Sequence, residues 1–202
     1  MRGFLVVEGH GDVEAVHNLI SRIWKDLALP HLPWARPLRW RGLHECERLS
    51  RAAEVIRRKP DASAMLVIRD EDDRCPKEIV HVEADALRRL NLPFPAATVL
   101  MHREFEVLFL PCVRLMAGRS IVDASGVKRP GLVAGSVFDG DPENVRGVKE
   151  WLSERFPPNR SYRPSTDQLP LTRMVDLAEL RRAGACRASI RWSGHSDSSR
   201  RT

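Results

Sequence analysis

Short apolar runs alternate with segments of helical periodicity through the first half of the chain, and this alternation constrains the fold most. The apolar runs cover residues 4–7, 64–68 and 96–101, with a weaker run at residues 38–41. Segments with apolar residues at helical spacing follow these runs, at residues 13–27, 49–56, 76–90 and 103–113. Strands that alternate with helices form parallel sheets covered by helices. We therefore predict an α/β protein with a Rossmann-like, mostly parallel central sheet and helices on both faces.

The pattern weakens beyond Gly118, so the second half is predicted to be a smaller, mainly helical extension. Residues 118–146 are rich in Gly, Asp and Ser, residues 148–156 have helical spacing, and residues 157–168 form a polar connection that contains proline. A last helix is predicted at residues 171–182. The 202 residues suffice for one full core with an appendage but hardly for two independent domains. We predict a core at residues 1–116, an extension at residues 117–192 packed on it, and a disordered tail at residues 193–202.

Composition excludes several classes of protein. The chain is 43% hydrophobic and 30% charged, as ordinary globular proteins are, which argues against extensive disorder. No apolar run approaches the roughly 20 residues that span a bilayer, and residues 4–7 are too short for the core of a signal peptide. The cysteines show neither zinc-ligand nor disulfide spacing. We therefore expect a cytoplasmic protein with no membrane partner.

An excess of positive charge makes a polyanionic partner plausible. The net charge is +6 and the isoelectric point is near 9.6, and phosphate backbones bind cationic surfaces, although solvated arginine faces explain this balance equally well. One segment combines basic and aromatic residues, namely Trp34, Arg36, Arg39, Trp40 and Arg41. Such a surface could bind a nucleic-acid strand. The favoured interpretation is that these residues alternate along a half-buried β-strand. A solvated face or tail is the simpler interpretation of the C-terminal arginines, which are Arg181, Arg182, Arg187, Arg191, Arg200 and Arg201.

Acidic residues follow three of the predicted strands at the point where each strand ends. Glu8 follows the first run directly, Asp70 and Asp72 follow the run at residues 64–68, and Glu104 follows the fourth run. In an open parallel sheet the reactive crevice lies outside the carboxyl ends of the strands, so these carboxylates should converge. Alternate residues of an extended chain point to the same side, which suits Asp70 and Asp72 to one ion. Since Mg²⁺ prefers oxygen ligands, we predict a site for Mg²⁺, or Mn²⁺, at Glu8, Asp70, Asp72 and Glu104.

Several of these residues also have simpler interpretations. The acids are compatible with solvated loop positions or helix caps, and Asp12 in particular suits a capping position. Asp73 and Glu106 fit a solvated position as well as they fit the site. Lys149 is a candidate to stabilise negative charge on a phosphate group, with a solvated helix lysine as the alternative. The candidate catalytic residues are therefore Glu8, Asp70, Asp72, Glu104 and Lys149.

Two stretches of sequence resemble the motifs of Toprim domains. Residues 7–12, Val-Glu-Gly-His-Gly-Asp, resemble the glutamate motif, and residues 67–73, Val-Ile-Arg-Asp-Glu-Asp-Asp, resemble the DxD motif, in the same order and separation. The resemblance extends over roughly residues 3–116, and segments at 102–106, 147–152 and 162–168 are similar to stand-alone bacterial Toprim proteins. Those proteins resemble the Toprim part of OLD-type nucleases and often accompany ATPase genes in defence loci. The resemblance implies that Glu8 acts in acid-base chemistry or metal binding and that Asp70 and Asp72 hold Mg²⁺.

Within the Toprim superfamily the chain departs from topoisomerases and primases. Its single tyrosine, Tyr162, lies in a proline-flanked connection, and the sequence lacks the cysteines of a primase zinc module. A small nuclease needs no protein nucleophile, because metal-activated water suffices.

The sequence therefore predicts a Mg²⁺-dependent phosphodiesterase, a nuclease acting on DNA or RNA in a bacterial defence or repair system. The alternative is a non-catalytic or partner-dependent nucleic-acid-binding subunit that works with a separately encoded ATPase. Any use of ATP would depend on that partner, since the sequence has no GxxxxGK(S/T) loop. Hydrolysis or transfer on small nucleotides is a third hypothesis.

Overall fold

The computed structural model of the chain describes residues 1–72, 74–123 and 125–183. The predicted tail at residues 193–202, the acid Asp73 and four of the C-terminal arginines lie outside the described residues. Those arginines are Arg187, Arg191, Arg200 and Arg201.

A four-stranded parallel sheet forms the centre of the protein. Its strands are β1 (Arg2–Val7), β2 (Leu38–Arg39), β3 (Ala62–Glu71) and β4 (Ala96–His102). They lie in the order β2-β1-β3-β4, and each neighbouring pair is parallel. The predicted α/β class and parallel sheet are therefore confirmed.

Helices cover both faces of this sheet, as the sequence predicts. The connections between the strands form α1 (Asp12–Asp26), α2 (Cys46–Arg57) and α3 (Pro76–Arg89). Successive side chains of a strand point to opposite faces, and β1 accordingly contributes Leu5 and Val7 to one buried cluster and Val6 to the other. The cluster of Leu5 contains the buried face of α1, and the cluster of Val6 contains those of α2 and α3.

The segment after β4 is mostly a 3₁₀ helix, which is wound more tightly than the α-helix that its apolar spacing predicts. It is a 3₁₀ helix over Phe105–Cys112, which continues into the short α4 (Val113–Met116). Pro111 lies inside the 3₁₀ helix and has no backbone N–H to donate, which disfavours a regular α-helix there. Nearly every residue of this segment is buried, so packing rather than amphipathic periodicity determines its position.

The C-terminal part differs from the prediction at two places. It contains a hairpin of β5 (Ser120–Val122) and β6 (Lys128–Pro130), a single 3₁₀ turn (Pro142–Asn144), and the helices α5 (Val148–Ser153), α6 (Pro164–Met174) and α7 (Leu177–Arg182). The polar connection predicted at residues 157–168 is confirmed for residues 157–163 and wrong beyond them. Helix α6 begins at Pro164, and proline is well tolerated in the first turn of a helix.

The single helix predicted at residues 171–182 is also wrong. The chain breaks between α6 and α7, where Val175 has an extended conformation. The Asp176 side chain then accepts hydrogen bonds from the backbone N–H groups of Ala178 and Glu179, so a new helix begins.

The extension packs on the sheet through a shared core. Leu152, Leu171 and Leu180 belong to the same buried cluster as Leu5 and Val7 of β1. The helices of the extension therefore complete the layer on the α1 face of the sheet. Over the part of the chain that the structure describes, none of the helices has the length and apolar character needed to cross a bilayer.

Candidate functional site

An open cleft of about 930 Å³ lies outside the carboxyl ends of β1 and β3. The strand order reverses direction at β1, because the chain moves from β1 outward to β2 and then returns to β3 on the other side. Such a switch point is where open parallel sheets bind ligands. In the register of the sheet Val7 lies beside Ile68, so β3 continues past the end of β1 and carries Asp70 into the cleft.

Three hydrogen bonds of its own acidic side chains hold the loop after β1 in place. Glu8 Oε1 accepts a hydrogen bond from the backbone N–H of Leu43 over 2.8 Å. Asp12 Oδ2 accepts one from the N–H of Gly9 over 2.8 Å, and Asp12 Oδ1 accepts one from Gln168 Nε2 over 2.7 Å. One interpretation of the sequence was that Asp12 caps α1, and this is wrong. Asp12 is the first residue of the helix, and its carboxylate is hydrogen-bonded to this loop and to α6 instead.

Gly11 allows the same loop to approach α6 closely. A Cβ atom added at this position would lie 2.1 Å from Gln168 Oε1 and 2.7 Å from the carbonyl oxygen of Pro164. The backbone of Pro164 cannot move aside as a flexible side chain can, so glycine is the residue that fits here.

Asp70 and Asp72 both line the cleft at the end of β3. Asp70 lies two residues after Ile68, whose side chain packs on the α1 face, so alternation directs Asp70 to this face as well. Asp70 is half-buried and Asp72 is exposed. The intervening Glu71 is buried and contributes to an ion pair described below.

The surroundings of Asp70 strongly disfavour its negative charge. Burial raises the pKa of Asp70 well above its ordinary value, and the charges of Glu106, Asp12 and Asp72 raise it further. The positive charge of Lys149 opposes this effect and lowers the pKa of Asp70, but only in part. The cleft therefore has an excess of negative charge that an added cation would relieve.

Lys149 lies between two carboxylates on the wall of the cleft that the extension forms. Its Nζ is 3.5 Å from Glu104 Oε1 and 3.5 Å from Glu106 Oε2. Burial lowers the pKa of Lys149, but Glu106, Glu104 and Asp70 outweigh it and the pKa is raised overall, so the side chain stays protonated. Of the two glutamates, Glu106 lines the cleft, whereas Glu104 reaches it only through Lys149.

Glu106 is a buried acid that the sequence interpretation left undecided. Tyr162 donates its hydroxyl hydrogen to Glu106 Oε1 over 2.9 Å. Burial raises the pKa of Glu106, while Lys149 and the hydrogen bond from Tyr162 lower it. The spacing Glu104-x-Glu106 after β4 is the only signal in the sequence that could have indicated this residue.

A buried ion-pair network supports β3 from its other face. Arg69 Nε donates to Glu83 Oε1 of α3 over 2.9 Å, and Arg69 Nη1 lies 2.8 Å from Glu71 Oε2. Arg69 Nη1 also donates to the backbone carbonyl oxygen of Asp70 over 2.8 Å. Arg74 adds an ion pair to Glu71 over 3.0 Å. This network fixes the backbone that carries Asp70 and Asp72, and no periodicity in the sequence indicated it.

The residues of the cleft fit a hard divalent cation in their chemistry. Glu8, Asp70, Asp72 and Glu106 supply oxygen donors, and the pKa of Asp70 is raised first by burial and then by the charges of neighbouring carboxylates, which a cation would neutralise. Among the described residues no three acidic, histidine or cysteine side chains are already grouped closely enough to hold a metal ion. Mg²⁺ is commonly bound by one or two carboxylates together with water and phosphate oxygens, so a closed protein cage is not required.

The fold and the cleft together define an α/β protein with a parallel sheet and an acidic cleft at the switch point of its strand order. The family model described as Domain of unknown function (DUF4276) matches residues 7–192, and the chain belongs to this family. The matched range includes every residue of the cleft, from Glu8 to Gln168. No curated protein and no solved structure matches the chain.

Proposed function

We propose that this protein is a Mg²⁺-dependent phosphodiesterase of the Toprim class, acting as a nuclease on DNA or RNA. One observation carries the proposal: Glu8, Asp70 and Asp72, which resemble the Toprim motifs, line a single cleft although 62 residues separate Glu8 from Asp70. The charge excess around Asp70 supports it, since such an excess suits a cation and a phosphate group bound together.

Asp70 and Asp72 are the residues proposed to hold Mg²⁺ or Mn²⁺, with Glu8 nearby as a further ligand. A divalent cation in such a site supplies electrostatic stabilisation of the charge that develops on a phosphoryl group. Glu104 is assigned an indirect part, because it contacts Lys149 rather than the cleft.

Glu8 and Lys149 are proposed to act on water and on phosphate, respectively. Glu8 Oε1 is occupied by the N–H of Leu43, which orients the carboxylate and leaves Oε2 either to bind the metal or to accept a proton from an attacking water. Lys149 stays cationic beside Glu106 and faces the cleft, where its charge would stabilise a phosphate oxygen as negative charge grows on it.

A cleavage assay on end-labelled DNA and RNA, single-stranded and duplex, with Mg²⁺, Mn²⁺ or EDTA, tests this function. Asp70→Asn is expected to lower the rate about a hundredfold or more while the protein remains folded. Asp85→Asn is the matched control, because Asp85 is an exposed acid of α3 that pairs with Arg88 away from the cleft.

Full cleavage by the Asp70→Asn variant would contradict the assignment. Metal-dependent binding of nucleic acid without cleavage would instead favour the partner-dependent subunit, and addition of a candidate ATPase would then be the next experiment. Hydrolysis of small nucleotides alone would favour the third hypothesis.

A further inference from the structure

Arg39 lies at the carboxyl end of β2, on the same face of the sheet as Asp70. It is the register partner of Val7, which in turn lies beside Ile68 of β3. Register partners of neighbouring strands point to the same face, and Asp70 follows Ile68 by two residues. Arg39 and Asp70 therefore flank the loop of Glu8 from its two sides.

The guanidinium group of Arg39 is held beside the cleft without a neutralising acid. Its Nε donates a hydrogen bond to the backbone carbonyl oxygen of Glu8 over 3.2 Å, and the side chain is exposed. No carboxylate of the described residues forms an ion pair with it. Its two terminal nitrogens thus face solvent next to Glu8, and a guanidinium presented in this way can bind a phosphate group in two-point fashion.

Two other arginines of the same region, Arg36 and Arg48, are neutralised by ion pairs, unlike Arg39. Arg36 lies 3.3 Å from Glu14 of α1, and Arg48 lies 3.0 Å from Glu45. Arg36 also lies before β2 begins, toward Trp34, which pairs with Gly3 near the start of β1. Arg36 and Arg39 are therefore alike in residue type but differ in pairing and position.

The aromatic residues of this segment do not form a stacking surface. Trp40 packs against the cluster on the α2 face, and Trp34 packs edge to face on Trp24 with ring centroids 5.2 Å apart. The exposed members that remain are Arg39 and Arg41, of which Arg39 contacts Glu8 of the cleft. Without stacking rings the segment offers cations alone, and most hydrogen bonds that proteins make to nucleic acids go to phosphate and sugar oxygens.

We propose that Arg39, together with Arg41, binds a backbone phosphate of a polynucleotide strand that enters the cleft from the β2 side. This inference rests on the proposed function and specifies its substrate class as a polynucleotide rather than a small nucleotide. Because the contact is to phosphate, it carries no sequence preference of its own.

Binding of a fluorescein-labelled single-stranded oligonucleotide, measured by anisotropy in EDTA over a range of salt concentrations, tests the inference. Arg39→Gln is expected to weaken binding about tenfold and to reduce the slope of log affinity against log salt by about 1. Arg39→Lys should retain the slope but not the full affinity, because it keeps the charge and loses the two-point geometry. Arg36→Gln is the matched control and should change neither quantity.

The measurement does not depend on cleavage, so the two proposals can fail separately. Arg39-dependent binding in a protein that cleaves nothing would leave the subsite standing and reject the nuclease. Wild-type affinity and salt slope in Arg39→Gln would overturn the subsite even if the protein cleaves DNA or RNA. Absence of oligonucleotide binding, or equally tight binding of a mononucleotide, would also overturn it.

Discussion

Tyr162 donates a hydrogen bond from its hydroxyl group to Glu106 Oε1 over 2.9 Å, and both side chains are buried. The contact joins the extension to the segment that follows β4, at the wall of the acidic cleft. Burial raises the pKa of Tyr162, and the charge of Glu106 raises it further, so the phenol is held in its protonated form. Tyr162 is therefore suited to position Glu106, and it is poorly suited to act as a nucleophile.

Replacing Tyr162 by phenylalanine should destabilise the protein in a pH-dependent manner. The substitution keeps the ring and removes a donor to a carboxylate, which costs about 1.5 to 3 kcal/mol when the acceptor is charged. The hydrogen bond lowers the pKa of Glu106, so it stabilises the ionised form. The loss should be largest at pH values above the raised pKa of Glu106 and should shrink as the pH falls through it. Urea unfolding of the wild-type protein and of Tyr162→Phe across this pH range measures the difference in unfolding free energy. A difference that does not change with pH would contradict an ionised Glu106 as the acceptor.

Asp70→Asn should stabilise the protein in the absence of metal, although Asp70 is a proposed metal ligand. The pKa of Asp70 is raised in the folded state. Ionisation of Asp70 therefore lowers the free energy of unfolding of the wild-type protein as the pH rises from the pKa of Asp70 in the unfolded chain through its pKa in the folded protein. Asparagine cannot ionise and avoids this penalty. Thermal unfolding in EDTA should show the variant more stable than wild type at about pH 8, with the difference vanishing near about pH 4.

Added Mg²⁺ should reverse that order. A ligand that binds only the folded state raises its stability, so Mg²⁺ should raise the melting temperature of the wild-type protein more than that of Asp70→Asn. Asp85→Asn serves as the control in both conditions. A variant less stable than wild type in EDTA at about pH 8 would show that the charge at Asp70 is not destabilising there.

Loss of Arg69 should be among the most damaging single changes behind the cleft. Arg69→Leu would leave Glu71 and Glu83 buried with their charges uncompensated by this guanidinium, which typically costs about 3 to 5 kcal/mol. Arg88→Leu is the matched control, because Arg88 pairs with Asp85 at the surface, where such a pair contributes about 0 to 1 kcal/mol. Equal losses of unfolding free energy in urea for the two variants would show that the buried network contributes no more than a surface pair.

The periodicity of apolar residues was sufficient to predict the parallel sheet and to predict that the loops carrying Glu8 and Asp70 lie close together. Apolar runs such as residues 64–68 have one structural solution in this context, a buried strand flanked by helices. Parallel strands end at one edge, so Glu8, Asp70 and Glu104 were predicted to converge there. The structure places Glu8 and Asp70 on the cleft, whereas Glu104 contacts Lys149 instead. These inferences depend on local patterns and on a general property of parallel sheets.

The residues that complete the cleft could not be predicted in this way. In α6 the buried side chains include Asp167, Gln168 and Thr172, and Pro170 lies inside the helix, so the segment lacks an amphipathic pattern. The pairing of Gln168 with Asp12 joins residues 156 positions apart. Contacts of this kind depend on how the extension packs on the core, which no local pattern reports.

A chain that ends at residue 116, where the sequence analysis placed the end of the core, should therefore fail to fold. Leu152, Leu171 and Leu180 pack in one cluster with Leu5 and Val7, so removing the extension would expose the part of this cluster that α1 does not cover. Each large apolar side chain left exposed costs about 1.5 to 3 kcal/mol, and a few such losses equal the stability of a typical domain. The truncated chain should bind a hydrophobic dye and lack a cooperative thermal transition, whereas a chain ending at residue 183 retains every described residue of this core and is the control. A cooperative transition at residue 116 would show instead that the sheet and its first three helices form an independent domain.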